Sequence, residues 1–125
     1  PMMSMGETSV ELVSGDLYRV RVDVRNERLI PTITVKGRQN NVVRPDILSV
    51  DGDVNIVAAG WVTDKNRPGP TQMIDQSELD RILLRSGAPG RHTRTIEYLV
   101  RGSGSMTVEY SSIKGGTVRT TVQLR

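Results

Sequence analysis

Thr95–Arg125, TIEYLVRGSGSMTVEYSSIKGGTVRTTVQLR, decides the fold class. Ile96, Tyr98 and Val100 alternate with polar neighbours, as do Met106, Val108 and Tyr110, and then Val118, Thr120, Val122 and Leu124. A period of two is the mark of a strand with one face buried. Gly102-Ser103-Gly104 and Lys114-Gly115-Gly116 separate the runs, and clusters of this kind favour tight hairpin turns. The stretch therefore reads as three antiparallel strands, most of one sheet.

Upstream, the same pattern recurs. Ser9–Val13 reads as a strand, Ser14-Gly15-Asp16 as a turn, and Leu17–Arg25 as a strand with Tyr18, Val20, Val22 and Val24 on its inner face. Arg19, Arg21, Asp23 and Arg25 occupy the other face, and mixed signs on alternate positions predict a solvated surface. On that register Val22→Asp is a severe substitution and Arg21→Ala a mild one. Ile30–Lys36 reads as a further strand with Pro31 at its entry, where a missing N–H is tolerated. Gly37–Asn41 is a polar loop. Ile47–Val50 and Val54–Thr63 flank Asp51-Gly52-Asp53 and predict a hairpin. Asp64–Asp75, with Pro68, Gly69 and Pro70, is the longest predicted loop. Ser77-Glu78-Leu79-Asp80 resembles a helix N-cap, with Leu79, Ile82 and Leu83 at helical spacing before Gly87, so one short helix is expected. Ala88-Pro89-Gly90 then leads into the closing strands.

At 125 residues the chain is the size of one domain. Residues 1–8 read as a disordered or cloning-derived lead-in, and 9–125 as a single domain. About eight short strands and one short helix predict an all-β fold, a two-sheet antiparallel β-sandwich of immunoglobulin-like or fibronectin-like kind, since a single sheet of this length leaves one apolar face wet. A small barrel is the alternative architecture. With no Phe and a single Trp, the core must come from Val, Ile, Leu and Met.

The residue types present exclude most site chemistries. There is no Cys, which removes thiolate zinc sites and cysteine nucleophiles. The single His, His92, lies in Gly90-Arg91-His92-Thr93-Arg94 with no acidic orienter nearby, so neither a His-based zinc site nor a serine triad can be assembled. Asp51 and Asp53, with or without Asp46, lack EF-hand spacing and read as turn residues rather than calcium ligands. Gly102 and Gly104 lack the Lys and the helix of a phosphate-binding loop. No catalytic residue, metal ligand or cofactor is expected. The net charge of +3 comes with one Trp and three Tyr, too few exposed aromatics for a base-stacking surface, so no nucleic acid is expected as a partner. No run approaches the length of a membrane span, so no membrane partner is expected either.

Trp61 invites more. Val57, Ala59 and Trp61 share one face of their strand, while Ile56, Ala58 and Val62 share the other, so the strand is apolar on both faces near its end. Either Trp61 packs under the loop that follows, or it is a half-exposed platform for a sugar, a peptide or a neighbouring domain. The candidate interface is Val57, Ala59, Trp61, Arg67, Pro68, Pro70 and Met73.

The closing strands, with Val100-Arg101-Gly102-Ser103-Gly104, Val108 and Lys114-Gly115-Gly116-Thr117-Val118, resemble the accessory β-domain C-terminal to the catalytic domain in some zinc carboxypeptidases. Asn26 through Pro31-Thr32 is similar to a segment of the same domains, although Tyr98 stands where a tryptophan is expected. The resemblance implies a noncatalytic domain that docks on or stabilises the catalytic domain of a parent metallopeptidase, itself secreted or periplasmic. It carries no catalytic residue onto any position here. The alternative is an independent carbohydrate-binding or protein-binding module using Trp61 and the Asp64–Asp75 loop.

Overall fold

The computed structural model describes residues 3–26, 45–84, 92–112 and 116–125. The predicted strand at 30–36, the loop at 37–41, Ala88-Pro89-Gly90 and most of the Asn26–Thr32 and Lys114–Gly116 segments lie outside the described residues.

Among the described residues the chain is all-β: β1 (Met3–Ser14), β2 (Leu17–Asn26), β3 (Asp46–Val62), β4 (Gln72–Met73), β5 (Arg81–Leu84), β6 (His92–Ser112) and β7 (Gly116–Leu124). All pairings are antiparallel, in the order β1-β2-β6-β3-β4, with β5 added to β3 and β7 to β6. β3 and β6 are long enough to serve two layers. The first half of β6 lies between β2 and the second half of β3, whereas its second half lies between β7 and the first half of β3. The two layers close over one core, in which Val20, Val22, Ile96, Tyr98 and Val100 meet Leu48, Ile82, Met106, Val108 and Val122. β1 and β7 approach each other with no ladder between them, so the sheet folds over into a sandwich without closing as a barrel.

Two predicted hairpins are instead bends. Asp51-Gly52-Asp53 and Gly102-Ser103-Gly104 each lie inside a continuous strand, and they face each other: Gly52 pairs with Met106 and Val54 with Gly102, leaving Asp53 opposite three residues. Gly52 and Gly102 have φ of 139° and 147°, and a Cβ on either would sit 2.6 Å from a backbone oxygen of the other strand. Positive φ and a bare backbone suit a two-residue turn and a sheet corner alike. Here the partner strand bends at the same place, so the ladder turns from one layer into the other.

Two further expectations are corrected. Residues 3–8 are strand rather than a disordered lead-in, because Met3, 1% exposed, fills the core opposite Asn26. No helix forms at 77–84. Residues 81–84 pair with Asp46–Ser49, burying Ile82 and Leu84 in alternation, and Asp80 accepts a hydrogen bond from the Val50 N–H at 2.9 Å. A single helical turn is costly to nucleate, and the open edge of β3 offers backbone partners instead.

Candidate functional site: the Trp61–Arg94 cleft

A register shift between Ile56 and Ala58 governs the far end of β3. Ile56 faces inward opposite Val100, Val57 is the extra residue, and Ala59 and Trp61 then take the inward positions opposite Tyr98 and Ile96. Ala59, proposed as interface, is accordingly buried in the core, while Val57 is 48% exposed on the bulge. Trp61 is half-buried against the core margin. Its backbone is fixed by Thr71, whose N–H and hydroxyl both donate to the Trp61 carbonyl, at 2.9 and 3.0 Å, and whose Oγ accepts from the Thr63 N–H at 3.1 Å.

Arg94 occupies the next inward position on β6 before Ile96, Tyr98 and Val100. A cation here breaks the apolar row just as the row reaches the end of the sandwich. Its guanidinium lies over the Trp61 ring, 3.7 Å from the centroid. Partial burial lowers the guanidinium pKa from its ordinary value, and the Tyr110 phenol opposes this. Open clefts flank the pair on both sides. One, of about 750 Å³, is lined by Trp61, Arg94, Gln72, Gln76, Ser77 and Leu83; the other, of about 430 Å³, by Trp61, Arg94, Lys65, Gln72, Thr63 and Thr93. Gln76 is itself committed to structure: its side-chain amide donates to the Leu83 carbonyl at 2.9 Å and accepts from the Leu83 N–H at 3.0 Å, covering the free edge of β5 as a strand would.

The remaining interface candidates are dispersed. Met73 is 57% exposed on β4, outside both Trp61 clefts. Arg67, Pro68 and Pro70 belong to a loop that folds back over the outer face of β2 and β6. Arg21 donates to the carbonyls of Lys65 (3.0 Å), Arg67 (2.8 Å) and Gly69 (3.5 Å), and to Glu97 Oε1 at 2.9 Å. Lys65 Nζ pairs with Asp23 Oδ2 at 2.9 Å, while Asp23 Oδ1 accepts from the Thr95 hydroxyl at 2.6 Å. Pro70 lies so close to β3 that a Cβ at Gly60 would be 2.5 Å from its own. Around Arg21 and Asp23 the face predicted to be solvated is therefore covered, with Glu97 only 4% exposed, whereas Arg25 is exposed as expected. Arg19 Nε is 3.4 Å from the same Glu97 oxygen, within ion-pair range but not hydrogen-bonded to it.

Asp46, weighed as a calcium ligand, is buried and accepts from the Tyr110 hydroxyl at 2.6 Å, while Asp51 accepts from the Gly52 N–H. The backbone of His92 opens β6 opposite Asn26. Among the described residues no group of three His, Cys, Asp or Glu side chains could hold a metal ion.

Sequence reasoning found Trp61 and missed Arg94. The signal was present: Arg94 has the same parity as Ile96, Tyr98 and Val100, so an inward arginine was written into the alternation. A family described as a domain of unknown function, DUF8731, matches residues 2–123. The chain belongs to DUF8731. No curated protein matches this DUF8731 chain in sequence. Among solved structures it is similar to part of DesR, a β-glucosidase from Streptomyces venezuelae solved with D-glucose, at 14% identity and a TM-score of 0.36. That match covers 98% of the DUF8731 chain but only 15% of DesR, and a likeness this low carries no argument about function.

Proposed function

We propose that this domain is a noncatalytic accessory module that acts by docking, with the Trp61–Arg94 cleft as its contact surface. The observation that supports this most is the pair itself: an aromatic ring and a guanidinium held together at the end of a rigid strand pair, with open clefts on both sides. Trp and Arg are the residues that most often anchor protein interfaces, because each offers a large contact area with few rotatable bonds or a fixed donor fork. An intra-chain interface of this kind covers about 600–1,500 Å². The alternative, a sugar platform, is less favoured, because a sugar stacks on an open ring face and one face of Trp61 is already taken by Arg94.

The zinc carboxypeptidase-type parent belongs to the same proposal and rests on the resemblance of the closing strands alone. Reading the coding sequence upstream tests it: a His-x-x-Glu and a later His support that parent, and their absence removes it while leaving the docking surface. The surface is tested by hydroxyl-radical footprinting of Trp61, followed by mass spectrometry, in the isolated domain and in the full gene product. Docking predicts oxidation in the isolated domain and protection in the full product. Equal oxidation in both sinks it.

A further inference from the structure

Among the described residues Arg94 has a ring against its face and no ion-paired carboxylate at its edge. The close cation–carboxylate contacts among the described residues lie elsewhere: Arg19 meets Glu11 and Glu97, Arg21 meets Glu97, Lys65 meets Asp23, Arg101 meets Asp16, and Arg119 meets Glu109. None of these carboxylates is within ion-pairing distance of Arg94. The chain leading into it, Arg85 to Thr93, carries Arg85 and Arg91 and no acid. A guanidinium stacked on an indole keeps its N–H donors in the plane of the fork, pointing away from the ring. That is the geometry which meets a carboxylate with two parallel hydrogen bonds. Its surroundings supply further donors, the Gln72 amide and the Thr93 hydroxyl, and Leu83 supplies an apolar wall.

Resting on the docking reading above, we propose that the Trp61–Arg94 cleft captures a carboxylate, an aspartate or glutamate side chain presented by a partner polypeptide. The charge complementarity is local. Lys65, the other cation on the cleft, is engaged by Asp23, which leaves one open fork and fits a singly charged carboxylate better than a doubly charged phosphate. The partner chain takes the place that Glu97 takes for Arg21 on the opposite face. Partial burial favours the capture, because an ion pair formed away from bulk water is less screened than a surface one.

Trp61 is the single tryptophan of the chain, so its fluorescence reports the cleft directly. The probe is a hexaglutamate peptide titrated at low salt, with hexaglutamine, inorganic phosphate and glucose as controls. The expected result is a saturable change in Trp61 emission with hexaglutamate alone. Arg94→Gln should weaken it at least tenfold and Arg94→Lys by a smaller factor, because a lysine keeps the charge but loses the fork. Arg101→Gln, distant from the cleft, should leave it unchanged. Equal weakening by Arg94→Gln and Arg101→Gln would reduce the effect to diffuse positive charge and overturn the proposal. A stronger response to phosphate or to glucose would overturn it in favour of those ligands, and unchanged binding by a folded Arg94→Gln variant would overturn it outright. If footprinting protects Trp61 in the full product while hexaglutamate does nothing, docking stands and carboxylate capture falls.

Discussion

On the outer face of β2 and β6, Arg21 spends its donors on Glu97 and on the carbonyls of Lys65, Arg67 and Gly69; at the start of the same β6, Arg94 lies on Trp61 with its donor edge unclaimed by any described carboxylate. The first arginine is a fastener. It holds a proline-containing loop down on a sheet face that otherwise would present two buried acids, Asp23 and Glu97, to water. The second is held by the ring, but its charge meets no carboxylate among the described residues. One charged group stabilises architecture and the other is available for recognition, and the difference lies in what surrounds each side chain rather than in residue type.

The larger effect of the two is expected at Arg21. Arg21→Ala leaves Glu97 buried beside the less well aimed Arg19 and frees three loop carbonyls. Removing one partner of a buried pair costs about 3–5 kcal/mol, and the residual exposure of Arg21 together with the nearby Arg19 should bring this to about 2–3 kcal/mol. Denaturant unfolding measures it. A loss under about 0.5 kcal/mol would return Arg21 to the solvated face that its sequence pattern implied.

That implied face shows where the sequence could be read and where it could not. Tyr18, Val20, Val22 and Val24 are all buried, as are Met106, Val108 and Tyr110, because alternation reports the inner face of a strand whatever its partners. The outer face depends on a cover more than 40 positions away in the chain, Lys65 to Pro70 over Arg21 and Asp23, which no local pattern records. The glycine corners failed for the same reason. Positive φ at Gly52 and Gly102 is legible, but whether the chain turns back or the whole ladder bends depends on β3 and β6 bending together. Trp61 stood out as an aromatic, while Arg94 was masked by the polar, basic company of His92.

Gly60 tests whether the loop is fastened by contact as well as by Arg21. Gly60→Ala places a methyl 2.5 Å from Pro70 Cβ and 2.9 Å from the Gln72 carbonyl oxygen, so strand and loop must separate. Overpacking of this kind costs about 1–3 kcal/mol. Here the strain falls on the loop, and limited trypsin digestion should cut faster after Lys65. Unchanged cleavage would mean that the loop lies on β3 less closely than its geometry requires.

Tyr98 is a polar group that neither site uses. It is 0% exposed between Val20 and Ala59, and its hydroxyl has no partner among the described residues. Burial holds the phenol neutral by raising its pKa far above the ordinary value. Tyr98→Phe removes a desolvated hydroxyl that makes no bond, and is expected to leave stability unchanged or raise it by up to about 1 kcal/mol. A destabilised variant would reveal a bonding partner for this hydroxyl, such as a buried water.

The smallest expected effect falls on the residue assigned to recognition. Arg94→Ala removes one cation–π contact of about 0.5–1 kcal/mol at a partly exposed site and leaves no described carboxylate unpaired, so unfolding should shift by about 0.5 kcal/mol. The change should appear in the light rather than in the melt: with the guanidinium gone, acrylamide should quench Trp61 more efficiently while the midpoint hardly moves. Set beside Arg21→Ala, this gives a stability ratio of several fold between two arginines on one sheet. If Arg94→Ala instead cost as much as Arg21→Ala, Arg94 would be a second fastener at the end of the sandwich, its charge already consumed by the fold, and the open fork on which carboxylate capture depends would not exist.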